Sequence, residues 1–586
     1  MFDMRHKSLI ITLLTLPFVL GMCAKMLTPV GGPKDTTPPK LVKTQPESGS
    51  LNFSGNTFKI TFDEYVVLNN PTENSIFSPP LEQTPKFTVS NKTLSVRIYD
   101  TLRPNTTYNV VFTDCIKDFT EGNPFPFFQY TFSTGATLDT FSYRGKLMDS
   151  REPEPVKNCF VFLYHDDVDS LPLTTRPDYV TKTLADGTFR FSNIAEGEYK
   201  IFALKDINKN LLFDLPNEEI AFGDTLVRAT PMPSAVKAAD TVVLKKTTKK
   251  KEKKKTKKEN TASAAPVIAD TDTISIYDEF WLFTEKDTTL KLITCNNPAQ
   301  GIYNIVYNNE IHDYLINFVN SQQTLPFYET ICETGDTITL YFKELPSDTL
   351  SLEIKVGERT DTVTLMPFKT KSAKSGGRNK KSGSAPKLSV TAQNSGELYK
   401  PFTLNFTYPL KPVENIEYQI VKKKKRGNDT IIAQLAIPDT FITSIEIPFD
   451  KEEKVPYNIS FRDSVFYAYN GLTNDSLNYN FTLHSEKDYG NLIINYNLEK
   501  VGTYIVQLLT TNGNIVCNNT ITNSQKVVYE HLTPGEYKIK VIEDRNRNGK
   551  WDTGNYRKKE QPEKIFYFKK KITIRGYWEL EEDFDF

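Results

Sequence analysis

A chain of 586 residues is too long for a single core, and at ~100–200 residues per domain it predicts several folded units. Lys and Arg together number 72, as do Asp and Glu, so no net field draws the protein toward nucleic acid or an acidic surface. A hydrophobic content of 38% with 12% aromatic residues supplies packed cores and excludes a wholly disordered chain.

The chain opens with Arg5 and Lys7, followed over residues 9–20 by an apolar run broken only by Thr12, Thr15 and Pro17. That run is shorter than the ~20 residues a bilayer-spanning helix needs. Charged start, short apolar centre and abrupt end predict an export signal over residues 1–22. Cys23, directly after Leu20-Gly21-Met22, resembles the lipobox cysteine of bacterial lipoproteins, although Met22 stands where that motif usually has Gly, Ala or Ser. The resemblance implies cleavage before Cys23, acylation of its thiol and a lipid anchor in the outer membrane. Residues 23–40, rich in Pro, Gly and Thr, predict a tether.

From residue 41 the pattern becomes short alternating strands, such as Phe58-Lys59-Ile60-Thr61-Phe62 and Leu94-Ser95-Val96-Arg97-Ile98. Leu102, Pro104, Thr106 and Tyr108 have the spacing of a tyrosine corner, in which the Tyr hydroxyl bonds back to the chain. The series GGPKDTTPP, FDEYV (62–66) and FSTG (132–135) resembles the bacterial Ig-like domain that opens many Bacteroidetes lipoproteins. It implies an envelope protein and a first sandwich over 41–136, and implies no chemistry.

Residues 137–245 form a second strand-rich unit. Its Asp186-Gly187-Thr188-Phe189-Arg190-Phe191 and Gly197-Glu198-Tyr199-Lys200-Ile201 resemble prealbumin-like, carboxypeptidase-regulatory-like sandwiches. GEYKIFALKDINKNLLFDLPN (197–217) returns as GEYKIKVIEDRNRNGKWDTGN (535–555), so one module occurs twice, the second copy within 486–586. Between them lie a β-sandwich at 267–369 and an Ig-like sandwich at 386–485. Only 311–319 shows a helical period. A Lys-rich linker at 246–266 and a Lys/Ser/Gly linker at 370–385 are expected to be disordered. The fold class expected is all-β: tandem β-sandwich domains, Ig-like and prealbumin-like, joined by disordered Lys-rich linkers.

The duplicated loops are the candidate metal sites. Asp206, Asn208, Asn210 and Asp214 match Asp544, Asn546, Asn548 and Asp552, and oxygen ligands at alternate positions can wrap calcium. Against this stand Asn217 and Asn555 at the twelfth position, where a bidentate Glu is usual, and Leu211 where the second copy has Gly549. The alternative is a hairpin turn in which Asp and Asn bond locally. Residues 422–426 read as a basic hairpin tip that could touch an acidic glycolipid. Cys115, Cys159, Cys295, Cys332 and Cys517 are scattered; Cys295 with Cys332 could bridge, or all could be buried thiols. Asp-Ser/Thr-apolar triplets, including Asp100-Thr101-Leu102 and Asp475-Ser476-Leu477, resemble O-glycosylation sites, and equally suit strand starts.

Five scattered histidines and no HExxH, GxSxG or phosphate loop argue against an enzyme. No catalytic residue and no firm cofactor is predicted. The expected function is an outer-membrane lipoprotein that binds protein, docking on a β-barrel protein or envelope complex and touching no nucleic acid. The alternative is a surface adhesin or glycan-binding lipoprotein, for which Trp281, Trp551 and Trp578 would have to form a platform.

Overall fold

The computed structural model describes residues 35–232, 277–319, 325–344, 349–366, 387–424 and 427–586. The expected signal peptide, Cys23, most of the tether and both Lys-rich linkers lie outside these residues. Two compact units emerge: residues 1–148, 155–214 and 220–280 in the first, and residues 149–154, 215–219 and 281–586 in the second. Among the described residues the fold is all-β apart from one helical turn at Leu171–Thr174 and one 3-10 turn at Glu486–Asp488.

In the first unit, β1 (Leu41–Gln45), β2 (Thr57–Phe62), β3 (Val66–Leu68), β4 (Ser75–Ser78), β5 (Lys86–Ser90), β6 (Thr93–Arg97), β7 (Thr107–Phe112), β8 (Ile116–Asp118) and β9 (Phe128–Ser133) form an Ig-like sandwich. One sheet runs β1-β2-β6-β5, another β4-β7-β9, and β3 pairs with β8. Alternation decides the register: Phe58 faces Val96 and Ile60 faces Leu94, all four fully buried. Phe58 stacks on Tyr130 of the opposing sheet with centroids 4.3 Å apart. The tyrosine corner is present, the Tyr108 hydroxyl accepting the Arg103 N–H at 2.9 Å.

The second domain contains β10 (Phe141–Asp149), β11 (Phe160–Tyr164), β12 (Tyr179–Lys182), β13 (Thr188–Ile194), β14 (Glu198–Lys205), β15 (Glu219–Phe222), β16 (Val227–Arg228), β17 (Thr230–Pro231) and β18 (Asp278–Thr284). Strand order is β12-β11-β14-β15-β18-β10-β13. Sequence reading places β18 in the third sandwich, beyond the Lys-rich segment; its pairing places it in the middle of the second domain's sheet. The Tyr143 hydroxyl donates to Asp278 at 2.7 Å, and Phe280 packs on Phe189. Buried polar groups join this domain to the first, the Asn109 amide donating to the Ser192 carbonyl at 2.7 Å and Ser78 Oγ accepting the Val180 N–H.

The second unit holds three further sandwiches. The first pairs Leu292–Ala299, Ile302–Tyr307, Thr337–Phe342 and Phe327–Ile331 in one sheet and Tyr314–Phe318, Leu350–Val356 and Arg359–Leu365 in the other. The helix expected at 311–319 is therefore a strand. Its half-buried Tyr314, Ile316 and Phe318 alternate with exposed residues and pair with Leu350–Val356, so a distant partner overrides the local period. The next sandwich packs Phe402, Leu404, Tyr418, Ile420, Tyr457 and Ile459 in its core. It has a tyrosine corner of its own, the Tyr457 hydroxyl accepting from Glu452 N–H and donating to the Asp450 carbonyl, each at 2.9 Å. The last sandwich faces Gln525–Leu532, Gly490–Asn497 and Glu579–Asp585 against a sheet built on Tyr504–Thr510 and Gly535–Glu543.

All five described cysteines are free. Cys295 and the segment before Cys332 lie on opposite edge strands of one sheet, about three strand spacings apart at ~4.8 Å each, beyond disulfide reach.

Candidate functional site: the paired Asp-Asn loops

Each duplicated loop follows a strand that carries GEYKI, and the two strands are fixed alike. The Tyr199 hydroxyl donates to the Ala195 carbonyl at 2.7 Å and the Tyr537 hydroxyl to the Thr533 carbonyl at 2.7 Å. The strand then delivers Asp206 or Asp544 to the mouth of the turn. In the second copy, Asp544 is buried and accepts the N–H groups of Asn548 at 3.0 Å and Gly549 at 2.9 Å. In the first, Asp206 accepts those of Lys209 at 2.6 Å and Leu211 at 2.7 Å.

The amides complete the turn from the far side. Asn546 and Asn548 both donate to Asp552 Oδ2 at 2.6 Å, while their carbonyl oxygens accept the N–H of Asn548 and Lys550. Asn208 and Asn210 donate to the two oxygens of Asp214 at 2.9 and 2.7 Å, and their oxygens accept from Asn210 and Leu212. The turn requires two left-handed residues: Lys209 and Leu211 in one copy, Arg547 and Gly549 in the other, with φ between 61° and 75°. Gly549 adopts that region freely, whereas Leu211 does so at a cost of ~1–2 kcal/mol. The eight residues singled out in the sequence are thus brought together as two matching sets of four.

The loops bond chiefly to themselves. Two NH2 groups, rather than two carbonyl oxygens, point at the Asp552 carboxylate, and each loop holds two carboxylates. Asn555, at the twelfth position, turns away to accept the Lys558 N–H at 3.0 Å. Among the described residues no group of three or more His, Cys, Asp or Glu is placed to hold a metal ion.

Sequence reading missed Glu563. It is buried, with Oε1 accepting the Arg545 N–H at 2.7 Å and Oε2 the Asp552 N–H at 2.9 Å, so one carboxylate ties both ends of the second loop. Burial pushes its carboxyl above the usual carboxylate range, aided by Asp552 and Asp544, while the two backbone N–H groups pull the other way. Its distance in sequence from Asp544 hides the contact. Trp551 covers it, donating its ring N–H to the Glu563 carbonyl at 2.8 Å.

The other candidate groups separate. Lys422 is no free hairpin tip: it is buried, with its ammonium 2.9 Å from Asp450 and 2.8 Å from Glu452, which hold it well above the ordinary lysine range against the pull of burial. Trp281 and Trp551 are half-buried and Arg151 covers the Trp551 ring. Trp578 is exposed beside Tyr577, with Arg575 and Lys487 over the two rings. Thr101 and Ser476 of the Asp-Ser/Thr triplets are exposed.

Among solved structures, native alpha-2-macroglobulin from Escherichia coli is similar at 10% identity, covering 48% of this chain and 98% of that one with a TM-score of 0.18. The bacterial surface-layer protein SbsC, domains 1–6, aligns at 14% identity over 92% and 67% of the two chains with a TM-score of 0.13. The major pilin subunit of Bacillus cereus aligns at 10% identity over 76% and 99%, with a TM-score of 0.16. A search of curated proteins returns no match. Residues 35–134, the whole of the first sandwich, match the bacterial Ig-like domain family.

Proposed function

We propose that the protein is a non-catalytic, lipid-anchored outer-membrane lipoprotein that binds other proteins, as a scaffold or accessory subunit of an outer-membrane assembly. The observation that carries this reading is a long open strand edge. Val413–Lys423 and Asn428–Ile437 form a hairpin of eleven and ten residues, and the second strand is the outer one of its sheet. Residues 428–432 along that edge are exposed, with Ile432 70% and Ile431 43% accessible. An edge of this length presents unpaired N–H and C=O groups to which another chain can add a strand.

A β-barrel protein or an envelope complex supplies such strands at the membrane where Cys23 would hold this chain. Affinity purification of the full chain from detergent-solubilised envelopes should recover a membrane protein at fixed stoichiometry. Ile432→Lys should lose that partner while leaving the melting temperature unchanged. Recovery of the protein alone, or equal recovery by the variant, would count against the reading. The adhesin alternative would draw on exposed aromatics such as Tyr577 and Trp578, over whose rings Lys487 and Arg575 lie.

Under this reading the paired loops are self-sufficient turns and need no cation. Adding calcium or a chelator to the full chain should leave its melting temperature in place. A rise with calcium that Asp544→Ala abolishes would instead show that the Asn amides turn over to ligate the ion.

A further inference from the structure

The first sandwich carries an apolar rim that its own core does not use. Tyr65 is 56% exposed and Phe119 is 70% exposed, and with Val67, Leu68 and Val89 they line a shallow groove of about 510 Å³ between β3 and the free edge of β5. The two aromatic positions are locked together, the Phe119 N–H donating to the Tyr65 carbonyl at 2.9 Å.

The N-terminal segment is pinned beside this rim. The Asn123 amide donates to the Asp35 carbonyl at 3.0 Å and the Thr37 carbonyl at 3.3 Å, and the Lys40 N–H donates to Asp63 at 2.7 Å. Asp63 lies two residues before Tyr65. Asn123 closes the turn that begins at Asp118 and Phe119, the Asp118 carboxylate accepting the N–H groups of Glu121, Gly122 and Asn123. Eleven residues separate Asp35 from Cys23. At no more than ~3.5 Å each they reach at most about 40 Å, so an acylated Cys23 keeps this end of the domain close to the membrane.

We propose that the Tyr65–Val67–Phe119 rim rests in the interfacial layer of a zwitterionic lipid bilayer. This rests on the lipid-anchor reading above and adds the surface that meets the membrane. Aromatic side chains with apolar bodies favour that layer, and an exposed apolar patch beside a membrane tether gains by burial there. The local charge selects the lipid: Asp35, Asp63, Asp118 and Glu121 gather around Glu64 and outnumber Lys92, whose ammonium lies 5.6 Å from the centre of the Tyr65 ring, so an anionic surface is disfavoured.

The test uses the acylated full chain in phosphatidylcholine vesicles whose acyl chains are brominated, a short-range quencher of indole emission. Phe119→Trp and Tyr65→Trp each add an indole to the three native tryptophans. Both variants should lose the added emission in brominated vesicles, where the wild type changes little, and lose less of it when phosphatidylglycerol is mixed in. If the chain floats with the vesicles and carries the acyl mass, yet neither variant is quenched beyond wild type, the rim does not touch the bilayer and the proposal fails alone. If the chain neither floats nor carries the acyl mass, the anchor reading fails and takes this one with it.

Discussion

Asn474→Ala should unfold the fourth sandwich more readily than any other single polar truncation considered. The side chain is fully buried, and all four of its hydrogen-bonding sites are satisfied. Its oxygen accepts the N–H of Val465 at 3.0 Å and of Phe466 at 2.8 Å; its amide donates to the carbonyls of Arg462 at 2.9 Å and Asp475 at 2.8 Å. It therefore holds both arms of the loop over residues 462–475 from within. Alanine leaves two N–H and two C=O groups without partners. At ~1–3 kcal/mol for each orphaned buried group, less what entering water restores, the expected loss is about 3–5 kcal/mol. Against a domain stability of ~5–15 kcal/mol that is a large fraction. A urea melt of the full chain should show one transition moved to lower denaturant and the rest in place. Asn474→Asp, which keeps the two acceptor contacts and loses the two donor contacts, should fall between. A shift below ~1 kcal/mol for alanine would show that the loop closes without this side chain.

Glu563→Ala should destabilise the last sandwich by about 2–4 kcal/mol, since it frees the Arg545 and Asp552 N–H groups in a buried position. A companion test uses pH. Burial, the largest cause, together with Asp552 and Asp544 raises this carboxyl above its unfolded value, against the pull of the two N–H groups. The folded state then binds the proton more tightly than the unfolded one. The resulting stability is fully present below the unfolded glutamate pKa of ~4.3 and is lost as pH rises through the folded value. Melting temperatures taken from pH 4 upward should fall more steeply for wild type than for Glu563→Gln, which cannot titrate. Equal slopes would mean the N–H groups cancel the effect of burial.

What could be read from the sequence follows the range of the interaction. Tyr108 was legible because its partner, Arg103, lies five residues away within one recognisable spacing. The Asp-Asn loops were legible for the same reason, and their duplication showed that the turn is specified as a unit. Core alternation in β2 and β6 was legible because a strand buries every second residue. Glu563, Asn474 and Lys422 were not, since each acts on groups that only the fold brings near. The strand Tyr314–Phe318 looked helical because Ile311, Leu315 and Phe318 repeat at helical spacing; pairing with Leu350–Val356 outweighs that period. The place of β18 was hidden for a stronger reason, because no local pattern says which sheet a strand will join.

That strand also imposes an order of events. Since Asp278 and its neighbours fill the middle of a sheet begun at Phe141, the second domain cannot close until more than 130 residues of later chain have emerged. During synthesis, which delivers the polypeptide from its N-terminus, the Ig-like sandwich can be finished while its neighbour still waits with a gap between β15 and β10. β17 and β18, which flank the lysine-rich segment in sequence, join the same sheet, so a nick between them would leave the severed pieces clasped together by β18.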